Sequence, residues 1–310
     1  DTAELARKSI AYRKTILTII KQANAGHTGG SLSCTDILNV LYNQVMNVTP
    51  ETFSSPDRDR YVHSKGHSVE ALYTVLADKG FFPREELDTL CQAGSHFVGH
   101  PTRKVPGIEQ NTGALGHGLP VAVGMALAGK KDGRSYRVFT TMGDGELTEG
   151  SIWEASMSAS HYKLDNLVVI VDRNTLQITG RTEDVMQLDP LDARFAAFGY
   201  AVRHVDGNDV AALSDLFAQL PFEEGKPNLV LAHTVKGKGI SFIEDQAKWH
   251  HHVPTDQEFV TAIEELERAE EEDMLADAAN DRGTDVPRRD PEEVALELLK
   301  TELGARPIGE

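Results

Sequence analysis

The sequence predicts an α/β fold: a doubly wound, mostly parallel sheet with helices on both faces. Three observations predict it. Short runs of β-forming residues alternate with segments of helical apolar spacing, the pattern of parallel strands joined by helical crossovers. One run, Leu167-Val168-Val169-Ile170-Val171, is apolar at every position, as in a strand covered on both sides. Another, Tyr136-Arg137-Val138-Phe139-Thr140-Thr141-Met142, closes on Gly143-Asp144-Gly145, at the strand end where parallel sheets bind ligands.

The elements follow in order. Residues 3–24 form the first expected helix, because Leu5, Ile10, Leu17 and Ile20 fall near helical spacing and Ala25-Gly26 stops it. Residues 36–44 and 68–79 are the next two helices, the latter ending on Gly80. The glycine-rich stretch 113–118 leads into 121–128, alanine-rich and apolar, expected as a buried helix. Strand 136–142, helix 151–161 and strand 167–171 follow. Trp153, Met157 and Tyr162 are expected to pack rather than to touch a ligand. Strands 201–205 and 229–233 flank a helix over 210–220.

Composition narrows the classes. The 310 residues are 40% hydrophobic and 25% charged, ordinary globular values that exclude global disorder. No apolar run approaches the ~18 residues a membrane helix needs. Residues 1–7 are polar and charged, so no signal peptide is expected. Cys34 and Cys91 make no disulfide framework, which points to a reducing cytoplasm and to inert thiols. A net charge of −17 argues against a nucleic-acid partner. That charge is uneven: residues 254–310 hold 18 acids and 6 bases, a net of −12, which leaves −5 for residues 1–253. The chain therefore reads as a domain over 1–253 and an acidic helical extension over 254–310. A linker is expected at about 280–290. Asp290-Pro291-Glu292-Glu293 then starts a helix over 291–303.

The chemistry concentrates at Gly143-Asp144-Gly145-Glu146 and at Asn174, thirty positions after Asp144. Asp144 at one strand end and Asn174 past the next offer hard oxygens to a divalent cation. Mg²⁺ takes six oxygens and commonly completes its shell with phosphate and water. Two protein ligands on neighbouring strand ends fit a metal-bridged diphosphate. His27, His67 and His100 each follow a glycine, where a side chain can face a ligand. Histidine also suits proton transfer near neutrality. His117 is an even case, whereas His161, His204 and His233 read as structural. The run His250-His251-His252 does not read as a metal cluster, since adjacent side chains cannot all face one ion. Lys236-Gly237-Lys238-Gly239 is a basic loop that could touch a phosphate.

The Gly-Asp-Gly to Asn pattern resembles the thiamine diphosphate motif, and the neighbouring segments narrow the resemblance to the transketolase family. Gly26-His27-Thr28-Gly29 is similar to that family's Gly-His-Pro-Gly loop, with Thr28 where the family usually has Pro. Asp57-Arg58 through Ser64-Lys65-Gly66-His67, Gly99-His100-Pro101 and Thr112-Gly113-Ala114-Leu115-Gly116 match further segments in order and spacing. The resemblance implies that Asp144, Asn174 and the Leu176 carbonyl hold Mg²⁺, with Ca²⁺ or Mn²⁺ as substitutes. It implies that His67, Gly113, Leu115, Gly143, Gly145, Glu146 and Asn174 bind thiamine diphosphate. It makes His27, His100 and His250 catalytic, and places Glu149 and Glu154 at an interface linking two active sites.

The family also needs a pyrimidine-binding domain, and residues beyond His250 cannot supply a further α/β domain of ~150 residues. The expectation is therefore the N-terminal subunit of a split transketolase. Its partner would be a C-terminal subunit, the assembly α2β2, and the substrates sugar phosphates or sulfo-sugars. Rival readings are the α subunit of a 2-oxo acid dehydrogenase, a deoxyxylulose-phosphate synthase, which is a single long chain, and a non-catalytic thiamine diphosphate-binding partner. The first would not be expected to carry the His27, His67 and His100 set.

Overall fold

A computed structural model describes residues 1–281 of the chain. Helix α1 (Thr2–Ala23) starts on Asp1, whose carboxylate accepts from Ala3 N at 3.1 Å, and buries Leu5, Ile16, Leu17 and Ile20. Helices α2 (Thr28–Ser33) and α3 (Thr35–Val40) follow, and α3 runs into a π-helical turn, Leu41–Val45. Strand β1 (Arg60–His63) and a 3₁₀ turn lead to α4 (Val69–Asp78). Then come α5 (Gly118–Lys131), β2 (Val138–Gly143), α6 (Gly150–His161) and β3 (Leu167–Arg173). A small hairpin, β4 (Leu176–Gln177) and β5 (Gly180–Arg181), precedes α7 (Thr182–Val185) and α8 (Leu191–Ala197). Strand β6 (Ala201–Asp206), α9 (Val210–Phe217), β7 (Asn228–His233) and α10 (Asp256–Asp281) complete the described chain.

The five long strands form one parallel sheet in the order β1-β2-β3-β7-β6. The twofold side-chain alternation of a strand divides the core between its faces. Phe139, Val168, Ile170 and Val230 pack with α1, α3 and α4, while Val138, Val169, Val171 and Leu229 pack with α5, α6 and α8. Every position of β2 and β3 is buried, so the continuous apolar run is explained by cover on both sides. Truncating such a residue, for example Ile170→Ala, costs about 2–5 kcal/mol.

Some elements differ from expectation. Strand β1 was not expected: it is four residues long and begins with an arginine. The helix expected over 121–128 is longer, and Gly124 and Ala128 on it are exposed rather than buried. Trp153 packs on Phe195 and Phe198, but Met157 and Tyr162 are 57% and 46% exposed, so those two do not pack as expected. Residues 256–281, expected as part of an acidic helical extension, form one helix, and its Ala262 and Leu266 enter the core. By compactness the chain divides into units Asp1–Ala269 and Glu270–Glu310. The expected linker lies outside the described residues except for its first two positions, and helix 291–303 lies wholly outside them.

One buried ion pair gathers the strand ends. Lys65 follows β1 and Asp172 lies in β3; their side chains are 2% and 0% exposed. Lys65 Nζ donates to Asp172, to Gly30 O at 2.8 Å and to Ser33 Oγ at 3.2 Å. Asp172 also accepts from Ser33 Oγ at 2.6 Å and from Thr234 Oγ1 after β7. Burial opposes both charges, but each holds the other ionised: the lysine is raised and the aspartate lowered. Lys65→Met strands a buried carboxylate and is expected to lower unfolding stability by about 3–5 kcal/mol. Urea unfolding checks it, and adding Asp172→Leu to the same chain is expected to restore much of the loss.

Candidate functional site

A cavity of about 480 Å³ opens at the carboxyl ends of the strands, where Gly143, Asp144 and Lys65 meet. The sheet delivers these residues because β2 and β3 are paired in register, Gly143 beside Asp172. Asp144 is nearly buried, and Oδ1 accepts from Gly145 N at 2.9 Å. Its Oδ2 accepts from Thr175 N at 2.6 Å and from Arg173 Nη1 at 3.1 Å. Burial, then the neighbouring Asp172 charge, pushes the Asp144 carboxyl up to about 6 against these donors.

Beside it, Asn174 Oδ1 accepts from Leu176 N at 3.1 Å, and Leu176 O accepts from Lys236 Nζ at 3.0 Å. Each of these carbonyl-type oxygens keeps a second lone pair. A carboxylate, an amide oxygen and a backbone carbonyl make an oxygen-only donor set, which suits a hard divalent cation. Among the described residues no group of three His, Cys, Asp or Glu is placed to hold a metal. A cation here would therefore draw further oxygens from a ligand or water, as a metal–diphosphate does.

The walls are loops packed at backbone contact. Gly113 has φ +145°, and a Cβ there would lie 3.0 Å from His100 Cδ2, so glycine lets that loop reach the cavity. Glu146 is committed to protein donors: Ser64 Oγ, Gly116 N at 2.9 Å and Gly143 N at 3.1 Å. Its carboxylate thereby joins three of the loops.

Across from the oxygens stands a cluster of imidazoles. The His27 ring lies 5.1 Å from His67, 6.3 Å from His100, 5.6 Å from His250 and 4.5 Å from His251. His67 and His250 stack at 5.3 Å. Burial, then neighbouring imidazoles and lysines, lowers His27 to about 4. Burial, then Lys236, lowers His250 to about 3, and burial lowers His67 and His100 as well. All four rings are therefore neutral at pH 7. Lys236 itself is lowered to about 8 by burial and then by Lys65, so it stays mainly cationic at neutrality. Its Nζ lies 2.7 Å from His250 Nδ1. An ammonium only donates, so His250 Nδ1 accepts and the ring proton sits on Nε2, an assignment made from the hydrogen-bond network.

The cavity brings together His27, His67, His100, His250, Gly113, Leu115, Gly143, Asp144, Gly145, Glu146, Asn174 and Leu176. Glu149 is the N-cap position of α6, without a side-chain capping bond, and Glu154 lies beyond its first turn; both are exposed and neither lines the cavity. His117 is exposed at the start of α5 and is not part of the lining, although its ring contacts the carbonyl of Leu115, which is. Sequence reasoning missed Lys65, a lysine between a short strand and Gly66. It also missed Gln177, Ile178 and Thr179 of the hairpin, which roof the cavity with Ile178 73% exposed. Cys34 is buried and raised to about 11, as an inert thiol should be.

Comparison with known proteins identifies the family. The model of the thiamine diphosphate binding domain of transketolase matches residues 6–269. The chain is 50% identical over 266 residues to one subunit of the apulose-4-phosphate transketolase of Phocaeicola vulgatus, covering 86% of this chain and 94% of that protein. It is 41% identical over 266 residues to a 6-deoxy-6-sulfo-D-fructose transketolase subunit of a Clostridium species, covering 86% of this chain and 97% of that one. Among solved structures, transketolase of Pichia stipitis with sedoheptulose-7-phosphate superposes with a TM-score of 0.78 at 25% identity. That match covers 96% of this chain and 48% of the other, so the chain spans about half of that solved transketolase.

The depressed imidazoles carry a pH signature. His27 in the fold lies near 4, below the ordinary 6.5, so on acidification the unfolded chain takes up its proton first. Stability is then lost as pH falls from 6.5 toward 4. Urea midpoints at pH 7 and pH 5 are expected to differ less in His27→Gln than in the parent chain.

Proposed function

The chain belongs to the transketolase family, and on that premise we propose that it is the N-terminal subunit of a two-chain transketolase. It transfers a two-carbon ketol unit from a ketose to an aldose together with a C-terminal subunit that carries the pyrimidine-binding half. The observation that carries this reading is one cavity holding the Asp144, Asn174 and Leu176 oxygens opposite the His27, His67, His100 and His250 rings. Nearly full-length similarity to proteins named as transketolase subunits supports the two-chain form. We read residues 1–253 as the cofactor domain, 254–310 as its extension and α2β2 as the assembly. The substrates in this reading are sugar phosphates or sulfo-sugars, after the names those relatives carry. Cytoplasmic residence is likewise part of the proposal; among the described residues no helix is long and apolar enough to cross a membrane.

The residues divide the work. Asp144, Asn174 and Leu176 O hold Mg²⁺, for which Ca²⁺ or Mn²⁺ can substitute, and Gly143 and Gly145 let the main chain approach the diphosphate. His67, Gly113 and Leu115 border the cofactor, while Glu146 braces the loops around it. Bound thiamine diphosphate supplies the electron sink for cleaving and forming the carbon–carbon bond. Neutral His27 accepts a proton from a sugar hydroxyl, which a protonated ring could not do. His250, with its proton on Nε2, donates to a sugar oxygen. His100 orients the terminal hydroxyl of the donor. Glu149 and Glu154, exposed on α6, are left for an interface with a second copy of the cofactor domain.

Two results are expected in the reconstituted pair. Asp144→Ala abolishes Mg²⁺-dependent thiamine diphosphate binding by calorimetry, and normal affinity in that variant would overturn the metal assignment. His27→Ala and His100→Ala keep the cofactor bound but lower turnover by about 10²-fold or more.

A further inference from the structure

Glu70 is a charged residue in an apolar setting. It lies in the first turn of α4 with Val69, Ala71 and Leu72 around it, and all four are buried. No cation pairs with it among the described residues. Burial pushes its carboxyl up to about 7. Leaving a carboxylate there costs stability that an apolar side chain would not lose. Its two oxygens are nonetheless aimed: Oε1 accepts from His27 N at 3.2 Å and Oε2 from Ser31 Oγ at 2.7 Å. Gly26, with φ +148°, is moulded around it, since a Cβ there would lie 2.7 Å from Oε1.

The effect falls on His27. This residue is the N-cap of α2 but makes no capping bond with its own side chain. An ordinary N-cap turns its side chain back onto the helix. Glu70 instead grips the His27 main chain from another helix, which frees the imidazole for the cavity. Thr28 adds the second tie. Its Oγ1 donates to His252 O at 2.7 Å, joining the His27 loop to the segment that carries His250. A proline at position 28, usual in the resembling loop, has no hydroxyl for this bond.

We propose that Glu70 and Thr28 are positioning residues: Glu70 sets the main chain at His27, and Thr28 fixes that loop against the His250–His252 segment. Their hydrogen bonds replace the rigidity a proline ring would give. The consequence for turnover rests on reading the cavity as the ketol-transfer site; the geometric claim does not.

The test uses the full chain and three variants. Glu70→Gln keeps an oxygen for His27 N and is expected to leave the His27 imidazole resonances and its titration unchanged. Glu70→Leu is expected to equal or exceed the parent in urea stability, yet to shift those resonances and lower turnover of the reconstituted pair by about 10- to 100-fold. Thr28→Val is expected to shift the His250 and His252 resonances. Unmoved His27 signals in Glu70→Leu, or shifts in Glu70→Gln as large as in the leucine variant, overturn the proposal for Glu70. If the leucine chain does not fold, Thr28→Val decides, and unmoved His250 and His252 signals overturn the tie. The resonances are read without cofactor or partner. Shifted signals with unchanged turnover would therefore count against the ketol-transfer reading and not against the positioning.

Discussion

The Lys65–Asp172 pair is the constraint on which the site geometry depends. Parallel strands end together but do not by themselves hold their following loops together. Here one carboxylate accepts from the turn after β1, from α2 and from the loop after β7, while itself lying in β3. The charge of Lys65 is matched by Asp172, so the loops converge without leaving a buried ion unpaired. The same pair sets the electrostatics above it. Lys65 helps to keep the imidazoles neutral, and Asp172 raises Asp144. Fold and proton chemistry thus share a single buried interaction.

Burial does the rest of the tuning. The rings of His27, His67 and His250 lie 5.1–5.6 Å apart, and partial burial with neighbouring lysines keeps them neutral, while the more exposed His100 is lowered in the same direction. The lining carries two lysines, Lys65 and Lys236, and two acidic residues, Asp144 and Glu146, so the cavity offers little net charge of its own. Such a lining suits an anion met by directed oxygens and main-chain groups rather than by a basic patch, which fits the nearly neutral balance of residues 1–253. Most of the chain's net acidity belongs to the sequence of residues 254–310.

Much of this was legible in the sequence, because each signal was local. Gly143-Asp144-Gly145 marks a strand end, a turn and a carboxylate at the cavity within three residues, and glycine before His27 and His100 marks loops whose imidazoles line it. The interactions that escaped are non-local or short. Lys65 and Asp172 are 107 positions apart, and nothing in either segment announces the other. Glu70 sits 43 positions from the main chain it grips, inside an otherwise ordinary apolar helix start. β1 is too short for a periodic pattern. Met157 and Tyr162 read as packing residues, but Met157 on α6 and Tyr162 just past its end are exposed.

The most direct measurement is anomalous diffraction from crystals grown with Mn²⁺ and thiamine diphosphate. The account expects one manganese ion at about 2.0–2.3 Å from a carboxylate oxygen of Asp144, Oδ1 of Asn174 and the carbonyl of Leu176, with diphosphate oxygens completing its shell. Manganese among the imidazoles, or cofactor bound outside this cavity, would contradict it.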